Sequence, residues 1–341
     1  MAKMVHFCTD RLLPADQMRF QSTVRRGGGA RAIMPIGKLW MNGSTLRVRF
    51  LDGTAAQQAK AREQALWWTA FANLKFDFND AANAEIRVAF NPNDGAWSYI
   101  GTDNRGIPLS HPTMNLGFLD GGTAAHEFGH AIGLAHEHQN PAGGIQWNEA
   151  AVIKSLSGPP NSWDEAMIRH NVLEKYTVDQ IQGTAFDPDS IMLYFFPGDW
   201  VKSGVGTHAN NVLSAVDKAY IASARAYPKS APTVADATEI KVNATRRTGA
   251  SIGKPGEEDL FKFKVATGGS HVIDTKGPTD VVMRLFGPDS QTSVVAEDDD
   301  SGTGSNARIA SGLVPGMYYA QVRHYNRNDG KGDYSIRVRR S

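Results

Sequence analysis

Four of the chain's ten histidines fall within thirteen residues, in the stretch HEFGHAIGLAHEH from His126 to His138. On a helix, residues four apart lie on nearly the same side, one turn apart along the axis. His126 and His130 can therefore offer two imidazole nitrogens to a single ion. Glu127 stands beside them, placed to hold a metal-bound water without ligating the metal itself. A catalytic zinc takes three protein ligands and keeps one position open. Gly133 can adopt the backbone conformation that leaves a helix and turns back, which would bring His136 to the same ion. The chemistry this pattern predicts is hydrolysis by a zinc-bound water, with Glu127 as general base. His138 lies beyond the pattern and reads either as a surface histidine or as a support for the ligands.

The surrounding segments are those needed to position such a site. Leu46, Val48 and Phe50 alternate as in a half-buried strand, and so do Ile86, Val88 and Phe90. Between them, residues 54–74 are rich in Ala and Gln, and Trp67, Phe71 and Leu74 recur at helical spacing. A short apolar run, Met114 to Leu119, precedes the histidines. Gly121-Gly122-Thr123 predicts a break followed by a helix capped by Thr123, which puts His126 in the first turns. Residues 1–34 read as a polar leader containing Arg25-Arg26 and Gly27-Gly28-Gly29. Residues 229–238 read as a linker, and residues 239–341 as short strands between turns, an all-β sandwich.

The stretch HEFGHAIGLAHE resembles the zinc signature of the metzincin metalloproteases, and Glu137 at its end is what the astacin branch shows. DSIMLY, Asp189 to Tyr194, is similar to the metzincin turn whose methionine lies beneath the zinc; Met192 would be that methionine. Tyr194 holds the position from which an astacin tyrosine ligates zinc and swings away to stabilise the transition state. GAWSYIG is similar to the edge-strand segment over which these proteases lay their substrate, making Trp97, Ser98 and Tyr99 candidates for substrate binding. The resemblance spans roughly residues 35–228, the zinc protease domain. It implies an α+β fold: a catalytic domain of twisted mixed sheet and long helices with zinc in the central cleft, ahead of the β-sandwich. It also implies latency through the leader, with Cys8 or Asp10 meeting the zinc before cleavage. The sequence departs from the astacin pattern in having no cysteine in this domain, so packing alone must hold it together.

Residues 239–341 resemble bacterial pre-peptidase C-terminal domains, through DLFKFKV, EDDDSGTGSNARI, PGMYYAQV and GDYSIRV. That likeness weighs toward action outside the cell, although MAKMVHFCTDRLLPADQ shows neither the apolar stretch nor the cleavage site of a signal peptide. Asp298, Asp299 and Asp300 offer oxygens to Ca2+, or simply form a solvated turn.

A formal net charge of +1, from 36 Lys and Arg against 35 Asp and Glu, predicts neither a nucleic acid nor a membrane surface as partner. Cys8 is the only cysteine, which excludes an internal disulfide. The reading that results is a monomeric zinc endopeptidase acting on protein or peptide substrates. Two others stay open: a non-catalytic or latent protease-like scaffold that binds protein or polysaccharide through its C-terminal domain, and a zinc hydrolase of non-peptide amides. The intact Glu127 argues against the scaffold.

Overall fold

The computed structural model describes residues 8–11, 34–35, 38–159, 162–176, 181–182, 185–327 and 329–341. The Arg25-Arg26 doublet and the three glycines after it lie outside these. The chain divides into two compact units. The first comprises residues up to Trp40, Arg47–Phe71 and Phe76–Tyr220. The second comprises Met41–Leu46, Ala72–Lys75 and Ile221–Ser341.

The strands that precede the second unit's sandwich are β1 (Cys8–Arg11), β2 (Met34–Pro35), β3 (Thr45–Phe50), β4 (Lys75–Phe78), β5 (Ile86–Ala89), β6 (Ala96–Tyr99), β7 (Met114–Leu116) and β8 (Ile181–Gln182). Six of them make a mixed sheet in the order β1-β6-β7-β5-β3-β4, while β2 pairs with β8. The leader is therefore not wholly without structure: Cys8 to Arg11 run parallel to β6, residue opposite residue with Ala96 to Tyr99. Without β1, β6 would be the edge of the sheet.

Among the described residues, five α-helices accompany these strands: α1 (Ala55–Thr69), α2 (Thr123–Ala131), α3 (Glu149–Ser157), α4 (Glu165–Ile168) and α5 (Ala215–Ile221). Helix α1 begins with a reciprocal cap between Thr54 and Gln57. Its buried face is Ala61, Gln64, Ala65 and Trp68, not the Trp67–Phe71–Leu74 series that spacing suggests. The helix ends at Thr69, so Phe71 and Leu74 follow it, and Trp68 rather than Trp67 turns inward to donate its indole N–H to Ala125 O at 2.7 Å. Among the described residues, no helix is long and apolar enough to cross a membrane.

The second unit carries β9 (Thr238–Glu239), β10 (Arg247–Ile252), β11 (Glu258–Val265), β12 (Gly269–Lys276), β13 (Val281–Phe286), β14 (Val294–Asp298), β15 (Arg308–Leu313), β16 (Gly316–His324) and β17 (Gly332–Arg340). They form a four-stranded sheet, β10-β17-β12-β15, and a five-stranded one, β14-β13-β16-β11-β9. Alternate residues of both, among them Phe263, Ile273, Met283, Tyr318 and Ile336, share one buried apolar cluster. That is the period-two burial expected of facing sheets. The aspartate run closes a turn: Asp298 accepts from the backbone N–H of Ser301 at 3.2 Å and of Arg308 at 2.6 Å. Nothing gathers Asp298, Asp299 and Asp300 into a calcium site; among the described residues, the acids and histidines grouped as a metal would need are His126, His130 and His136.

Candidate metal centre

Helix α2 carries the first two histidines, and its start is built differently from the sequence expectation. The N-cap is Gly122, whose carbonyl accepts from His126 N–H at 3.0 Å, and no side chain caps from that position. Thr123 is already helical and turns its hydroxyl back to Asp120 O. The capping oxygen comes instead from α1. The buried Gln64 accepts the third helical N–H, that of Ala125, at 3.1 Å and donates to Gly121 O at 2.7 Å. Helix starts leave such N–H groups unpaired, and a buried one must be met by some partner.

The far end of α2 follows the expectation. The helix ends at Ala131, and Gly133 takes φ +107, the left-handed side that glycine favours. This turn places the Leu134 carbonyl 2.8 Å from His130 Nδ1 and sends the chain back toward His136. On the other side, Ile191 O lies 2.7 Å from His126 Nδ1. A carbonyl only accepts, so both Nδ1 atoms carry the proton and both Nε2 atoms present a lone pair.

Those lone pairs converge. His130 Nε2 lies 3.1 Å from His126 Nε2 and 3.0 Å from His136 Nε2, and the three ligand atoms fall within 4.8 Å of one another. Nitrogens about 2.0–2.1 Å from one tetrahedral zinc stand roughly 3.3 Å apart, so the set fits the ion. Burial, then the neighbouring histidines, hold His136 well below the usual histidine range, which leaves it neutral and able to ligate. Glu127, next along the helix, is completely buried.

Other residues close the site. The Tyr194 hydroxyl is within hydrogen-bond reach of His136 Nε2, and its ring centroid lies 4.5 Å from that of His136. Met192 is buried against α2 at Gly129: a Cβ there would stand 2.5 Å from Met192 Sδ. Glycine inside the zinc motif thus serves the floor of the site, a role the spacing alone did not reveal. Glu137 donates its N–H to Met192 O at 2.9 Å, tying the His136 segment to the turn. Its buried carboxyl is raised to about 7, even though it accepts from Asn140 and from Asp187 N–H, each at 2.9 Å. His138 is buried, with its ring 5.2 Å from that of His136 and its Nε2 2.9 Å from Asn171 O. It packs beside His136 rather than at the surface. Trp97 and Ser98 are buried and Tyr99 is half-buried, and β6 is paired on one side with β1 and on the other with β7. Behind the turn, α3 and α4 pack Val152, Leu156 and Ile168 with Leu193 and Phe196.

Asp217 was not singled out from the sequence, although Ser214-Ala-Val-Asp217 is a legible helix-capping pattern. Its carboxylate accepts from Ser190 Oγ at 2.7 Å and from Ile191 N–H at 2.9 Å.

Residues 34–198 match the astacin peptidase family, and residues 257–324 match the bacterial pre-peptidase C-terminal domain. A solved structure of myroilysin is 35% identical over 58% of this chain and 100% of its own, with a TM-score of 0.56. A crystal structure of myroilysin is 34% identical over 63% of this chain and 96% of its own, with a TM-score of 0.44. High choriolytic enzyme 1, a hatching enzyme zinc-protease from the medaka Oryzias latipes, is 16% identical over 57% of this chain and 97% of its own, with a TM-score of 0.40. Comparison with curated proteins gave no match.

Proposed function

The chain belongs to the astacin family and is a zinc metalloendopeptidase, and from that premise we propose that Glu127 is the general base of its peptide hydrolysis. The observation that carries this reading is the convergence of three Nε2 atoms, two with their tautomers set by backbone carbonyls, beside a wholly buried glutamate. His126, His130 and His136 would hold the zinc. When bound, that ion supplies Lewis acidity, polarising the scissile carbonyl and acidifying water. Glu127 accepts the proton of the attacking water and delivers it to the leaving amine. The Tyr194 hydroxyl donates a hydrogen bond to the oxyanion that develops on the carbonyl; its place beside His136 supports that role. Met192 packs beneath the ligands and takes no part in the chemistry. Once residues 8–11 leave the edge of β6, the substrate lies along it as an added strand, bound through main-chain hydrogen bonds.

The test is Glu127→Ala. Turnover of a protein substrate should vanish while one zinc per chain stays bound. Undiminished cleavage by this variant would refute the assignment.

A second reading concerns latency. Residues Cys8 to Arg11 occupy the β6 edge that a substrate strand needs. This supports a leader that blocks the cleft until it is removed, with Cys8 or Asp10 as the group that meets the metal.

A further inference from the structure

We propose that Asp217 is a positioning residue for the zinc ligand His126, acting through the main chain of the turn that carries Met192. From outside its own helix, the Nδ1 of His126 is met by Ile191 O, to which it donates a hydrogen bond at 2.7 Å. The position of that carbonyl is set by whatever holds Ile191. Asp217 holds it at two successive residues: one carboxylate oxygen accepts from Ser190 Oγ at 2.7 Å, the other from Ile191 N–H at 2.9 Å. Ser190 Oγ in turn accepts from Met192 N–H at 3.1 Å, so the carboxylate governs the turn through to the methionine.

The carboxylate is itself fixed. Asp217 and Ser214 cap each other at the start of α5, with Ser214 N–H donating to Asp217 Oδ2 and Asp217 N–H donating to Ser214 Oγ, both at 2.9 Å. The Ser214 hydroxyl also donates to Asp187 at 2.6 Å, and Asp187 N–H donates to Glu137, the residue that follows ligand His136. Asp217, Ser190 and Ile191 are all buried, so water does not compete for these bonds. Groups that orient a metal-bound histidine from behind typically contribute 10–100-fold to metal affinity.

A helix cap alone would give Asp217 a purely structural role, and the variants separate the two. Asp217→Ala frees the turn, whereas Ser214→Ala removes the hydroxyl half of the cap and leaves the carboxylate held by the N–H groups of residue 214 and Ile191. Asp217→Asn keeps an oxygen for Ile191 N–H and presents its amide to Ser190, so it should rescue most of the loss. The readouts are zinc affinity, by competition with a chelator on protein shown to be folded, and the visible absorption of the cobalt-substituted full chain. We expect Asp217→Ala to lose about 10–100-fold in zinc affinity, with an altered cobalt spectrum, and Ser214→Ala to lose little in either. Should Asp217→Ala not fold, Ser190→Ala decides in the same assays, with a several-fold loss expected. Wild-type affinity and spectrum in Asp217→Ala, or in Ser190→Ala where that variant must stand in, would overturn the assignment. So would an equal loss in Ser214→Ala. The inference rests on the three histidines holding zinc: wild-type protein that bound none would fail that reading, whereas zinc-loaded wild type with indifferent variants would fail this one alone.

Discussion

In the proposed mechanism, individual side chains at the metal centre divide into those that hold, those that react and those that aim. The holders were legible in the sequence, because a helix fixes what spacings of four and six residues can do around a glycine. The aiming groups were not. Ile191 and Leu134 act through backbone carbonyls, and a carbonyl leaves no trace in residue type. Among the groups proposed to react, Tyr194 gives the sharpest prediction at this scale. Tyr194→Phe removes a hydroxyl and almost no volume, so zinc content should be unchanged. Loss of one oxyanion donor typically lowers kcat by about 10²–10³-fold. Steady-state kinetics on a peptide substrate measures this, and a variant with unaltered kcat would remove Tyr194 from the reaction.

Elements were legible where periodicity was strong and obscure where a distant residue decided the outcome. The sandwich strands follow from alternation in segments such as Phe261–Phe263–Val265. The start of α2 does not follow from local pattern, because its capping oxygen arrives from Gln64 on α1. The buried face of α1 departs from its spacing for a related reason: Trp68 is drawn inward by Ala125 O, a partner 57 residues away. Gln64→Leu keeps the volume and strips both hydrogen bonds, leaving a buried N–H at Ala125 and a carbonyl at Gly121 unmet. It should cost about 2 kcal/mol of stability, seen as a lower urea midpoint with unchanged slope. A shift below about 0.5 kcal/mol, the range of an ordinary surface change, would mean that α2 does not depend on this cap.

For the whole molecule, the leader and the aspartate run show what composition conceals. Residues 1–34 read from their composition as a polar leader, yet four of them pair with β6 in full register; strand pairing is a long-range choice that local sequence does not announce. Asp298 spends its carboxylate on Ser301 and Arg308 N–H groups, ordinary turn chemistry that no count of oxygens would distinguish from a calcium site. If the leader holds the substrate edge, a chain beginning at residue 34 should cleave casein faster than the full chain at equal zinc content. Adding Cys8→Ser or Asp10→Asn to the full chain should show which group meets the metal. A full chain with Met1 intact that is as active as the truncated one would sink the latency reading. The measurement that bears most directly on the account is metal content and casein cleavage followed on one leader-free preparation, before chelation, after chelation and after zinc is returned. The account predicts one zinc per chain, loss of cleavage on chelation and its return with zinc, with none of the three in a His136→Ala variant. Cleavage that persists in the metal-free protein would contradict it.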